Sequence, residues 1–79
     1  AVAAKVLLPE RRWRQLDGCL YERRFTAGLT VTATYDDVAD SWTMRVYRGR
    51  KCVRTDAGYW TLDRLKQSAL RVTREVSRG

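Results

Sequence analysis

The chain has 79 residues and a formal net charge of +7, from 16 basic and nine acidic side chains. A chain of this length forms a single domain, residues 1–79, with no room for a second core. No apolar run approaches the ~20 residues that span a bilayer, so we expect no membrane partner and a cytoplasmic location. Three Trp and four Tyr supply bulky core material and argue against disorder.

Most catalytic and metal sites require residues that this sequence lacks. Without histidine, a Ser-His-Asp or Cys-His arrangement is impossible, and Cys19 and Cys52 alone cannot supply the four ligands of a zinc site. Asp36, Asp37 and Asp40 lack the glycine and terminal glutamate of a calcium loop, so we interpret them as a solvated turn. We expect a non-enzymatic protein without cofactor, metal or small-molecule substrate. Its two cysteines are either buried free thiols or a disulfide, and a cytosolic location favours the free thiols.

The first 18 residues are the least decided part of the chain. Residues 1–8 are too short for a signal peptide, lack a basic leader and precede Pro9. Pro9 is suited to the first position of a helix and Gly18 to the position just after its C-terminus, so the two together indicate a short helix. Asp17-Gly18 is equally typical of a hairpin turn. In either case Trp13 and Leu16 are expected to pack on the core.

The central part of the chain predicts strands that alternate between apolar and polar residues. In residues Leu29 to Tyr35 apolar residues alternate with three threonines, so the apolar side chains share one face of the strand and the threonines share the other. Trp42, Met44 and Val46 alternate with polar residues in the same way. Residues Asp36 to Ser41 form a loop, Arg48-Gly49-Arg50 a tight turn, and Asp56-Ala57-Gly58 ends the last strand. The predicted strands are Leu20 to Thr26, Leu29 to Tyr35, Trp42 to Tyr47 and Lys51 to Thr55.

The last segment predicts a helix capped by Thr61, with Asp63 in its first turn. Its apolar stripe consists of Leu62, Leu65, Ala69, Val72 and Val76. On the opposite side lie Arg64, Arg71, Arg74 and Arg78. The fold class is therefore α+β: an antiparallel three- or four-stranded meander with one C-terminal helix packed on one face.

The positive charge favours an anionic partner, either a nucleoprotein complex or DNA or RNA directly. The densest candidate site is the turn Arg48-Gly49-Arg50-Lys51, flanked by Tyr47 and Arg54, which we expect to be exposed and free of structural contacts. Two further candidates are the sheet face with the threonines, Arg45 and Tyr47, and the helical arginines Arg64, Arg71 and Arg74. A solvated surface is the alternative interpretation of each.

The order of sheet and helix resembles the integrase arm-binding and ethylene-response-factor domains, which lay a three-stranded sheet into the major groove of DNA. The resemblance covers Leu20 to Val76, with Trp42 to Val46 leading into a turn and Trp60-Thr61-Leu62 leading into the helix. It implies direct DNA binding, as by a regulator or recombination factor, and it implies no particular contact residue.

The chain also resembles the small single-domain proteins of phages and mobile elements, among them the anti-CRISPR proteins. It is similar to them in its size and in its lack of a catalytic signature. Many of them are acidic, and this chain departs from that pattern. The resemblance implies stoichiometric inhibition of a host effector complex, which we take as the first functional hypothesis. Direct DNA binding is the alternative.

Overall fold

The computed structural model of the protein describes residues 12–25 and 28–78. These residues form one five-stranded antiparallel sheet and one helix, and the strands lie in the sheet in their chain order. The elements are β1 Arg14–Asp17, β2 Leu20–Arg24, β3 Leu29–Asp36, β4 Ser41–Arg48, β5 Lys51–Tyr59 and α1 Leu62–Arg78. The α+β class and the C-terminal helix are confirmed, and the meander has five strands instead of three or four.

The core lies between one face of the sheet and α1. Val31 is opposite Val46, and Ala33 is opposite Met44, so the apolar residues of β3 and β4 share one face. Every core side chain is at most 1% exposed, and the core consists of Leu29, Val31, Ala33, Met44, Val46, Leu65, Ala69 and Val72. Both predicted apolar faces, that of the strands and that of the helix, are therefore confirmed.

The helix lies along the sheet and has the same direction as β4. It begins just after β5 ends at Tyr59, which is opposite Trp42 at the start of β4. A helix of 17 residues is about 25 Å long, and a strand of eight residues is about 26 Å long. The last turn of α1 therefore lies beside the end of β4. At its start, the backbone N–H of Arg64 donates to Thr61 Oγ1 at 3.2 Å, which confirms the predicted cap.

The N-terminal part of the described chain forms a hairpin, so the turn alternative at Asp17-Gly18 is correct. Trp13 packs against the core, with its ring centroid 6.3 Å from that of Phe25. Leu16 is 48% exposed, because the register between β1 and β2 shifts at this residue and leaves it without an opposite partner. The prediction that Leu16 packs on the core was wrong. The other predictions for the first 11 residues lie outside the described residues.

Two other expectations need correction. The strand β5 does not end at Asp56 but continues to Tyr59, because Ala57 and Gly58 form a bulge in which Gly58 adopts a φ of 89°. Cys19 and Cys52 are free thiols, as expected, but both are exposed. They lie at opposite ends of the sheet, one beside Tyr35 and the other beside Lys51.

No helix in the described part of the chain is long and apolar enough to cross a membrane.

Candidate functional site

The two ends of the sheet carry opposite charges. Five of the six aspartates lie at the end of the sheet where α1 begins, and we call this end the acidic end. The β4–β5 turn and the last turns of α1 lie at the other end of the sheet. We call this end, with its cations, the basic end. The acidic end consists of Asp17, Asp36, Asp37, Asp40 and Asp63, and the basic end of Arg48, Arg50, Lys51, Arg74 and Arg78.

The aspartates of the acidic end mostly bond to their own loop. Asp36 Oδ1 accepts hydrogen bonds from the backbone N–H groups of Val38, at 3.0 Å, and Ala39, at 3.3 Å. The Tyr35 hydroxyl donates to Asp40, and this hydrogen bond raises the pKa of Tyr35 above its ordinary value. Within the described residues no group of three or more potential ligands could hold a metal ion. Residues 37–40 form the predicted turn, and hydrogen bonds from Asp36 and Asp40 stabilise it.

A hydrogen bond between the sheet and the helix lies at the basic end. Arg48, the last residue of β4, donates from Nη2 to the carbonyl oxygen of Val76 at 3.2 Å. This carbonyl belongs to the last turn of α1, where a cation is also favoured by the helix dipole. Arg48 therefore has a structural contact, contrary to our expectation for the whole turn. Gly49, at a φ of 62°, and Arg50 form the two-residue turn itself.

The remaining cations of the basic end have no carboxylate partner in the described part of the chain. Arg50, Lys51, Arg74 and Arg78 are all exposed. Glu75 lies among them in sequence, but its carboxylate accepts from Arg54 Nη1 at 3.4 Å. This ion pair offsets the negative charge of Glu75, which lies beside Arg71, Arg74 and Arg78 on the helix surface. The last two turns of α1 consequently keep their positive charge.

Arg54 itself is occupied by internal ion pairs. Its Nε donates to Asp56 Oδ2 at 3.2 Å, in addition to the contact with Glu75. Its register opposite Val46 places it on the helix side of the sheet. Because each pair would lose a partner if Arg54 turned outwards, we assign it to the junction of helix and sheet and do not place it in the candidate surface.

The outer face of the sheet, opposite the helix, is polar. Thr30 is opposite Tyr47, Thr32 is opposite Arg45, and Thr34 is opposite Thr43. All six side chains are half-buried. This is the composition that the alternation of β3 and β4 predicted. Arg45 and Tyr47 are the only members of this set with long side chains, and both lie on β4.

The nine predicted partner-binding residues thus separate into five places. Arg45 and Tyr47 lie on the outer face, and Arg54 lies at the junction of helix and sheet. Arg64 is next to the acidic end, and Arg71 lies midway along the helix. The basic end brings together Arg48, Arg50, Lys51 and Arg74.

Sequence reasoning missed two features of the surface. One is the juxtaposition of the turn with the end of the helix, which also adds Arg78 to the site. It follows from the similar lengths of α1 and β4, once the helix is known to return along the sheet. The other is Trp60, which precedes the helix cap at the acidic end and is 77% exposed. No sequence signal distinguished Trp60 from the core aromatics.

The fold and the site together define a small α+β protein whose helix-covered sheet separates an acidic end from a basic one. No protein-family model, curated protein or solved structure matches this chain. The functional argument therefore depends on the placement of charge and of exposed side chains.

Proposed function

We propose that the protein is a non-enzymatic nucleic-acid-binding protein, an accessory factor encoded by a phage or mobile element, whose basic end contacts the phosphate backbone of DNA or RNA. The observation that carries the proposal is the contact between Arg48 and the Val76 carbonyl, which joins the cations of the turn and of the helix. Clustered arginines are typical of phosphate recognition, because each guanidinium can donate two parallel hydrogen bonds.

The distribution of charge supports a polyanion as the partner. A net charge of +7 attracts anions from a distance, and the acidic end would repel a phosphate backbone. The protein would therefore approach a polyanion with its basic end first. Four exposed cations from two different elements, Arg50 and Lys51 of the turn with Arg74 and Arg78 of the helix, span more than one phosphate, which favours a polymer over a single small anion.

Salt dependence tests this proposal directly. If four phosphates are contacted, the logarithm of the association constant should fall with the logarithm of salt concentration with a slope of about −3 to −4. Affinity for a labelled DNA or RNA oligonucleotide should then fall roughly 100-fold between 50 and 200 mM NaCl. Fluorescence anisotropy measures both quantities. A protein that binds no nucleic acid at 50 mM NaCl would overturn the proposal.

A second candidate function is anti-CRISPR-like inhibition of a host nucleoprotein effector complex. It is favoured by Trp60, because a tryptophan that is 77% exposed is unusual on a free surface and common at the centre of protein interfaces. Trp60 lies at the end opposite to the phosphate-binding cations. A nucleoprotein partner would offer an apolar pocket to one end and phosphates to the other.

Capture from host lysate separates the two candidates. The inhibitor hypothesis expects a protein complex that remains bound after nuclease treatment and that the Trp60→Ser variant loses. Direct nucleic-acid binding expects capture that nuclease abolishes and that Trp60→Ser leaves unchanged. Leu70→Ser is the matched control, because Leu70 is also an exposed apolar residue, 47% exposed on the helix. Proteins identified by mass spectrometry give the readout for wild type, Trp60→Ser and Leu70→Ser, each with and without nuclease.

A further inference from the structure

The centre of the outer face carries an aromatic side chain and a cation side by side. Tyr47 and Arg45 are two residues apart on β4, so both side chains point away from the helix, about 7 Å apart along the strand. Neither side chain has a hydrogen-bond, ion-pair or ring partner among the described residues. This separates Tyr47 from Tyr21 and Tyr35, whose rings both contact Trp42.

The four side chains directly beside the pair are short and uncharged, and the charged residues Glu22 and Arg24 lie one strand further away on β2. Tyr47 lies between Thr30 on β3 and Cys52 on β5, and Arg45 lies between Thr32 and Thr55. These neighbours carry hydroxyl or thiol groups, so the phenol ring and the guanidinium are the longest side chains at these positions. Both residues are half-buried, which limits the conformational entropy that either side chain would lose on binding.

The pair is also continuous with the basic end, since Tyr47 directly precedes Arg48. A nucleic-acid strand held by the turn would therefore meet Tyr47 first on the outer face. Base stacking on an aromatic ring requires an exposed base face, and in a duplex those faces are already stacked on neighbouring pairs.

From these observations we infer that the outer face binds single-stranded nucleic acid, with a base stacked on Tyr47 and Arg45 contacting an adjoining phosphate. The inference rests on the proposed function, because it extends the strand bound at the basic end onto the sheet. Threonine hydroxyls around the ring can donate to or accept from a base edge without blocking its approach. The outer face should therefore prefer single strands to duplexes. A sheet that inserts into the major groove would have the opposite preference.

The test compares a labelled 12-nucleotide single strand with the corresponding 12-base-pair duplex by fluorescence anisotropy at 50 mM NaCl. The wild-type protein should bind the single strand more tightly. Tyr47→Thr, which continues the threonine surface with a good strand former, should lower single-strand affinity about 10-fold or more and change duplex affinity less than twofold. Tyr47→Phe keeps the ring and should restore wild-type affinity.

Several results would overturn the inference without touching the proposed function. These are duplex binding as tight as single-strand binding, an equal loss on both probes in Tyr47→Thr, or a loss in Tyr47→Phe as large as in Tyr47→Thr. Binding to neither probe would instead overturn the proposed function itself. If Tyr47→Thr fails to fold by circular dichroism, Arg45→Gln replaces it, with the same selective loss of single-strand affinity expected.

Discussion

Replacing Val72 by Asp should unfold the protein at room temperature. Val72 is fully buried in the middle of α1 and packs on the core residues of β3 and β4. A carboxylate at this position would be desolvated with no cation or hydrogen-bond donor placed to compensate it. We expect a loss of about 4 kcal/mol or more in the free energy of unfolding, a large part of what a chain of this size has available. Thermal melting followed by circular dichroism measures it.

The neighbouring residue provides the control for this substitution. Arg71 lies on the opposite, exposed side of the helix, and Arg71→Asp introduces the same side chain one position away. Its effect on stability should stay within about 0.5 kcal/mol, as for most surface substitutions. If the two variants lost the same stability, the assignment of the buried and exposed faces of α1 would be wrong.

The regular elements were predictable because their sequences have a clear period. The alternation in β3 and β4 and the stripe of α1 each place apolar residues on one face, and burial of that face dominates the free energy of folding. Residues such as Val31, Val46 and Val72 were therefore assigned correctly from local sequence alone.

The irregular elements were not predictable, because their conformation depends on contacts with distant residues. β1 has no apolar alternation, and Arg14 to Asp17 form a strand through pairing with β2. Gly58 indicates a strand break when considered alone, but a φ of 89° at this residue also permits a bulge within a continuous strand. Which of the two occurs is decided by the hydrogen bonds that β4 offers.

The sequence predicted which kind of residue the candidate site contains, but not which individual arginines belong to it. Arg48 and Arg54 have the same sequence signal as Arg50 and Lys51, namely positive charge near a turn. The structure separates them by partners that lie 28 and 21 residues away in the chain, Val76 for Arg48 and Glu75 for Arg54. Local sequence contains no information about such pairs, so free and occupied arginines could not be distinguished.

Removing the free cations of the basic end should abolish most nucleic-acid affinity without affecting the fold. The double variant Arg50→Ser with Lys51→Ser removes one charge in the β4–β5 turn and one at the start of β5. Arg48 is retained because it contacts the end of α1. Charge-assisted hydrogen bonds contribute about 1.5–3 kcal/mol each, so we expect a loss of about 3 kcal/mol, roughly 100-fold in affinity. The double variant Arg74→Ser with Arg78→Ser should lose affinity comparably, since it removes the helical half of the same end.

The matched control is Arg64→Ser with Lys66→Ser, which removes two charges from the first half of the same helix, towards the acidic end and away from the basic end. Its net charge equals that of both test variants, so any general effect of charge on association is the same in all three. We expect its affinity to stay within about threefold of wild type, and its slope with salt to remain unchanged, whereas each test variant loses about two units of slope. Melting temperatures confirm that all three variants fold. If the control loses as much affinity as the test variants, binding depends on net charge alone, and the basic end is not the site.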